Sequence, residues 1–318
     1  LSKAIRSPKA SEANGPASIC SAHVRSVAGA IAGSITGRVS PMSGRRMRLT
    51  VTAVSLTGTG ATPRDARPGT MGPVSHPTAP DPDRTLRGLA DVRRVFLSFP
   101  EVTDPSRHAD YNAWHQYDHL PQNRALPGVR HGERWVRSPR CRVSGVSETS
   151  EGDPLAADLD AAHYLAMYWF ARPSRPAIEE WLELGSRTAE VGRRPELEWT
   201  RRRFTGFFEP VAGAVADGVR VGAGAVPLLP HAGIVLDVRR SPAVEPAAVR
   251  EWAGVPGVHG AWAFVGVGRA DGLVVTMAWC AADPVTVAQA CPSPPGGLLR
   301  TPLAVIEPEA WDWFDASR

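Results

Sequence analysis

The sequence predicts an α+β fold: two tandem βαββαβ units behind a disordered N-terminal extension. Three observations carry that prediction. From residue 91 onward, apolar runs and amphipathic stretches read strand, helix, strand, strand, helix, strand, and then the order repeats. The two stretches also share a short pattern. Leu126-Pro127-Gly128-Val129 precedes Trp135 in the first, and Val255-Pro256-Gly257-Val258 precedes Trp262 in the second. Finally, residues 1–85 are rich in Ser, Ala, Gly, Pro, Thr and Arg, and their apolar residues keep no sustained period. Such a segment buries too little apolar surface to offset its ordering entropy.

The charge divides along the same line. Residues 1–85 carry eleven Lys/Arg against four Asp/Glu, whereas residues 86–318 carry 25 Arg against 28 Asp/Glu. A nucleic-acid-binding domain places its basic face on the folded part, so this distribution argues against nucleic acid as a partner. Cys20, Cys141, Cys280 and Cys291 show no Cys-x-x-Cys spacing, which argues against a disulfide framework or a structural zinc site and fits a cytoplasmic location. No run approaches 18 apolar residues, so no membrane helix is expected. The stretch after Arg45-Arg46-Met47-Arg48 is too short and too rich in Thr and Ser for a secretory signal.

The predicted domains are a disordered extension (1–85), a first unit (86–211), a linker (212–227) and a second unit (228–318). In the first unit, residues 93–100 form a short strand ended by Pro100. A helix spans residues 106–120, with Tyr111, Trp114 and Asp118 on one stripe and His115 and His119 on the next; Pro121 is expected to stop it. A strand over 129–137, an acidic loop over 143–160 and an apolar strand over 162–171 follow. A helix opened by Pro176 runs to about residue 191, and a strand covers 198–209. The second unit places strands at 232–238, to about residue 267, at 272–280 and at 302–314, with helices at 245–253 and 283–290. Two such units are two ferredoxin-like halves, and the open face of each sheet supplies the other's partner.

The pattern Tyr111-Asn112-Ala113-Trp114, then Asp118-His119-Leu120-Pro121 and Leu126-Pro127-Gly128-Val129, resembles the first helix and turn of the dimeric α/β-barrel superfamily, in its EthD-like branch. The resemblance implies an intramolecular dimeric α/β barrel, either a monomeric pseudo-dimer or a homodimer. It also implies a cavity between sheet and helix toward which His119 lies. Relatives include monooxygenases, isomerases, decarboxylase-like and cyclase-like proteins. The second unit has no counterpart to Asp118-His119, so a single site is expected in the first.

Histidine moves protons near neutral pH, which makes His119 the leading general acid/base candidate, with Asp118, His115 and Tyr111 assisting. The plainer reading of His119 is a hydrogen bond to a frayed helix end. Trp114, His131 and His163 are candidate substrate contacts; the plainer readings are core packing for Trp114, a loop position for His131 and a satisfied polar group at a strand edge for His163. His115 and His119 at i and i+4 could share a metal with Asp118, His131 or His163, but no spacing fixes a third ligand, so no metal is expected. No haem-attachment motif, dinucleotide fingerprint, P-loop or nucleophile elbow is present, and no cofactor is expected. An anionic substrate group could use Arg193-Arg194 or Arg201-Arg202-Arg203; the plainer reading is a solvated surface beside Glu190, Glu196 and Glu198. The expected ligand is a small apolar or aromatic molecule. The expected chemistry is cofactor-independent oxygenation, isomerisation or lyase chemistry, or else non-catalytic ligand binding or assembly.

Overall fold

A computed structural model describes residues 89, 91–145, 153–293 and 296–314. The predicted disordered extension and residues 146–152 of the predicted acidic loop lie outside the described residues.

Eight strands close into one antiparallel barrel. The first four are β1 (Arg94–Val102), β2 (Val129–Val136), β3 (Tyr164–Phe170) and β4 (Thr200–Val215). The last four are β5 (Gly233–Arg240), β6 (Val258–Val267), β7 (Leu273–Cys280) and β8 (Gly297–Val305). Around the barrel the order is β1-β3-β2-β8-β5-β7-β6-β4. Each group of four therefore has its first and third strands side by side in the middle, the ferredoxin-like order predicted for each unit.

Strand alternation builds the core. Val95, Leu97 and Phe99 of β1 and Leu165, Met167 and Trp169 of β3 join Ile234, Leu236 and Val238 of β5 and Val275, Met277 and Trp279 of β7 in one buried cluster. Burial of each large side chain contributes roughly 2–3 kcal/mol. The barrel lumen is thus filled with side chains. The shared Pro-Gly-Val pattern has a common structural use. Gly128 O accepts from Ala171 N just after β3, and Gly257 O accepts from Ala281 N just after β7, both at 2.8 Å.

Several elements differ from the sequence reading. Helix α1 (His108–Trp114) does not stop at Pro121; it passes through a π-helical turn (His115–His119) into α2 (Leu120–Ala125). The wide turn bonds Leu120 N–H to His115 O, and Pro121, which has no N–H, sits in the first turn of α2, where none is needed. Part of the predicted acidic loop (143–160) is helical instead: α3 (Pro139–Ser144) runs into its start and α4 (Pro154–Ala161) takes up its end, capped by the side chains of Ser138 and Asp153. Helix α5 (Ser174–Glu190) begins slightly earlier than predicted. β4 extends to Val215, into the predicted linker, because residues 207–215 pair with β6. In the second half α6 (Pro246–Ala253) and α7 (Pro284–Ala288) are short. The closing strand is β8, not residues 302–314: Trp311 and Trp313 lie beyond it. There Trp311 meets Tyr117, and Phe314 stacks on His108 at 4.0 Å, so this tail folds over the first helix.

Candidate functional site

The outer face of the first four-stranded sheet holds a row of register partners: Arg134 on β2, Ala166 on β3, Ser98 on β1 and Thr205 on β4. The middle of the row is small. Ser98 and Ala166 keep 7% and 6% of their surface accessible, whereas Leu97 and Met167, next to them but facing the lumen, keep 0%. Both small residues are buried.

The first helix covers that face. Asn112 Nδ2 donates to Tyr164 Oη at 3.0 Å and to His108 O at 2.8 Å. Asn123 Nδ2 donates to His119 O at 2.6 Å and approaches Tyr168 Oη at 3.4 Å. Each asparagine ties one end of the helix to a β3 tyrosine, with the π-helical turn between them. His115 on that turn is buried, and its Nδ1 has no partner. His119 is half-buried, lies edge-on to His115 at 5.1 Å and stacks on Trp114 at 4.6 Å and 18°. Trp114 is itself fixed by a 2.9 Å hydrogen bond from Nε1 to Arg193 O, with the Arg194 guanidinium over its ring at 5.4 Å.

The electrostatics are one-sided. Arg134 is 5% exposed, and none of its Nε, Nη1 and Nη2 atoms has a hydrogen-bond partner. The rings of Tyr111 and Tyr164 face its guanidinium at 5.3 and 5.5 Å. Glu196 pairs with Arg194 at 2.7 Å and with Arg202 at only 4.0 Å. Burial, reinforced by Arg194, Arg202 and Arg134, holds the His119 pKa well below the usual histidine value. Burial and Arg134 do the same to His115. Burial pushes the Tyr111 hydroxyl up to about 12 and raises Tyr164 and Tyr168. At neutral pH the site therefore offers two uncharged imidazoles, un-ionised phenols and a surplus of arginine charge.

Four of the sequence candidates meet here: Tyr111, Trp114, His115 and His119. Three do not. The Asp118 carboxylate accepts from Arg193 Nη2 rather than from His119. His131 faces the mouth of the lumen, 3.2 Å from Glu133, which also lies 3.2 Å from His231 beside a cavity of about 360 Å³. His163 Nδ1 accepts from Val102 N at 3.1 Å and lies edge-on to His108 at 4.9 Å. The sequence reading missed Arg134 and Ser98, and it placed Arg202 on a solvated surface. It also took Arg194 and Glu196 for surface, yet their side chains are only 8% and 4% exposed. For Arg134 the signal was strand alternation: Gly132, Arg134 and Val136 lie on the face opposite Trp135, where a helix was expected.

The second half shows what the same scaffold looks like without such a site. By register, Ala263 on β6 stands where Arg134 stands on β2, and Thr276 where Ala166 stands. Lumen-facing Met167 and Trp169 have Met277 and Trp279 as counterparts, but outward-facing Tyr164, Tyr168 and Phe170 correspond to Val274, Ala278 and Cys280. Helix α6 packs Val249, Trp252 and Ala253 onto that face in an apolar cluster.

Among the described residues no group of three or more His, Cys, Asp or Glu side chains is placed to hold a metal ion. No helix among them is long and apolar enough to cross a membrane. No protein-family model and no curated protein matches the sequence. Solved structures do match. An anthrone oxidase-like protein aligns at 12% identity with a TM-score of 0.43, over 69% of this chain and 94% of its own. A chlorite dismutase-like protein aligns at 10% identity and a TM-score of 0.41, over 70% and 98%. A monooxygenase-like protein from Fusobacterium nucleatum aligns at 8% identity and a TM-score of 0.39, over 68% and 94%. At these identities the likeness concerns the fold alone. The chain's own strand order, two ferredoxin-like sheets closed edge to edge, is that of a dimeric α/β barrel with both halves on one polypeptide.

Proposed function

We propose that the first half is the active half of a small-molecule enzyme of the EthD-like kind, with His119 as its general base. The observation that carries this reading is the pair of neutral imidazoles on the π-helical turn. His119 is half-buried and, among the described residues, forms no side-chain hydrogen bond. Trp114 stacks on one side of it, and Tyr168 lies edge-on at 6.5 Å. Such walls suit a flat, mostly apolar molecule. A neutral imidazole there can take a proton from an activated C–H or O–H, the opening step shared by cofactor-independent oxygenation, isomerisation and lyase chemistry. His115 sits behind His119 and keeps the turn uncharged; Tyr111 walls the site; Asp118 fixes the helix through Arg193. The second half, with Ala263 where Arg134 stands and Val274, Ala278 and Cys280 where the aromatic residues of β3 stand, serves as the structural partner, and the parallel Pro-Gly-Val turns support an internal repeat.

The test is a panel of small aromatic ketones, phenols and hydroxy-quinones followed by absorbance and oxygen uptake. Once a substrate is found, His119→Gln should lower kcat by about 10²–10⁴-fold with little change in ligand affinity. Undiminished turnover by that variant would remove the base role. A wild-type protein that binds panel members without converting any would favour the non-catalytic binding module.

A further inference from the structure

We propose that the ligand of the His119 site carries one anionic oxygen group, a carboxylate or an ionised phenol on a small planar molecule, and that Arg134 binds it. The proposal rests on the reading above for the location of the site and adds the ligand's charge.

The other buried arginines of this protein have partners. Arg137, 3% exposed, donates from Nε to Thr301 Oγ1 at 3.0 Å, from Nη1 to Asp160 O at 2.6 Å and from Nη2 to Asp160 Oδ1 at 2.7 Å. Arg239, 7% exposed, donates to Asp237 Oδ2 at 2.8 Å. Both arginines serve structure, and both have acceptors. Arg134 is as deeply buried and donates to none among the described residues. A guanidinium left that way destabilises the fold, because its desolvation is not repaid by a partner. Structural needs would be met better by an apolar side chain, as Ala263 meets them at the matching position in the second half. The unpartnered arginine makes sense if its acceptor arrives with the ligand.

Asn112 Oδ1 and His115 Nδ1 on the covering helix are buried acceptors without partners, and Arg134 donates to neither. Tyr164 Oη is already engaged by His108 at 2.8 Å and by Asn112 at 3.0 Å. Glu196 is held by Arg194. Three arginines (134, 194 and 202) act on His119, and Glu196 is the carboxylate paired among them, which leaves the site short of negative charge. Arg134 is the register partner of Ala166, which pairs in turn with Ser98, so an anion bound over this row lies beside its fork. The Arg134 nitrogens are enclosed in this structure, and engagement requires side-chain movement of the kind common on binding. A planar, two-pronged guanidinium matches a carboxylate in two parallel hydrogen bonds, and Tyr111 and Tyr164 already hold it in place.

The experiment compares 2-naphthoate with its neutral isostere 2-naphthamide by calorimetry on the full chain. A second arm uses 4-nitrophenol, whose ionised form is read by absorbance. The wild type should bind at least one anion about tenfold or more tighter than the amide. The naphthoate arm identifies a carboxylate ligand and the nitrophenol arm an ionised phenol. Arg134→Met should abolish the preference yet bind the amide unchanged, and its melting temperature should not fall, because an unpaired buried charge has been removed. Arg134→Lys, which keeps the charge without the fork, should retain only part of the preference. His119→Gln should keep the preference in full, so a failed base role leaves this result readable. No preference for either anion in the wild type, or a preference that survives in Arg134→Met, overturns the proposal.

Discussion

Individual histidines carry much of this protein's response to pH. His108 is buried against Tyr164 and Phe314, and burial pushes its pKa down from 6.5 to about 4. As pH falls below about 6.5, the unfolded chain takes up a proton that the folded chain refuses, so folding weakens from there down to about pH 4. At pH 5 His108 alone costs the fold about 2 kcal/mol. Urea midpoints at pH 7 and pH 5 should show the loss, and His108→Gln should reduce its size. The same logic separates catalysis from stability. His119 stays neutral well below its ordinary pKa, so kcat/KM should show no acid limb near pH 6.5; a limb there would mean that the imbalance of charge around it is smaller than the arginines imply. At this scale the sequence was partly legible. The Tyr111 to His119 cluster could be read because a helix brings near neighbours together. Arg134 reaches the site from another strand, and Glu196 is buried by distant packing, so neither could be read from local pattern.

At the scale of elements, two kinds of feature set the site's shape. One is the wide helical turn, which the sequence concealed: Pro121 looks like a helix stop, and only the longer hydrogen bond from Leu120 to His115 lets the helix continue. The other is the Pro-Gly turn, which was legible because both halves use it. A Cβ on Gly128 would lie 2.3 Å from the Ala177 Cβ on α5, and one on Gly257 would lie 2.9 Å from the Ala282 Cβ just before α7. Gly257 also has φ +86°, where a side chain is strained. Gly128→Ala and Gly257→Ala should each destabilise by about 1–3 kcal/mol, measured by urea unfolding. Only Gly128→Ala should also weaken ligand binding, because α2 and α5 cover the site and the elements near Gly257 do not. The strands in the sequence were readable from their apolar runs. Their ends were not: β4 grows past its predicted end because β6 offers it a partner.

For the whole molecule, the two seams that close the barrel are unequal. β4 and β6 pair from Phe207–Val267 through Val215–Gly260, whereas β2 and β8 meet at Trp135–Val305 and Val136–Ala304 alone. Beside the shorter seam stand His131, Glu133 and His231, with Trp135 Nε1 donating to His231 Nε2 at 3.1 Å. Hydrogen exchange should be faster along the outer edge of β2 than anywhere on the β4–β6 seam. Equal protection at both would show that the lumen core alone holds the barrel shut. The pairing of halves was foreseeable from the repeated element order; the inequality of the seams depends on strand lengths that composition does not encode.

The single covalent chain has a consequence for change. In a barrel made of two copies of one polypeptide, every substitution is made twice, and a residue good for the ligand must also be tolerable in the partner's matching place. Here Arg134 and Ala263 occupy matching places and are inherited separately. The lumen-facing Met and Trp pairs remain alike because both halves still share one interior. The outer faces are free to differ, and the proposed ligand site lies on one of them. Binding should accordingly saturate at one ligand per chain, and variation among descendants of this protein should collect on the first half's outer face while the common interior stays constant.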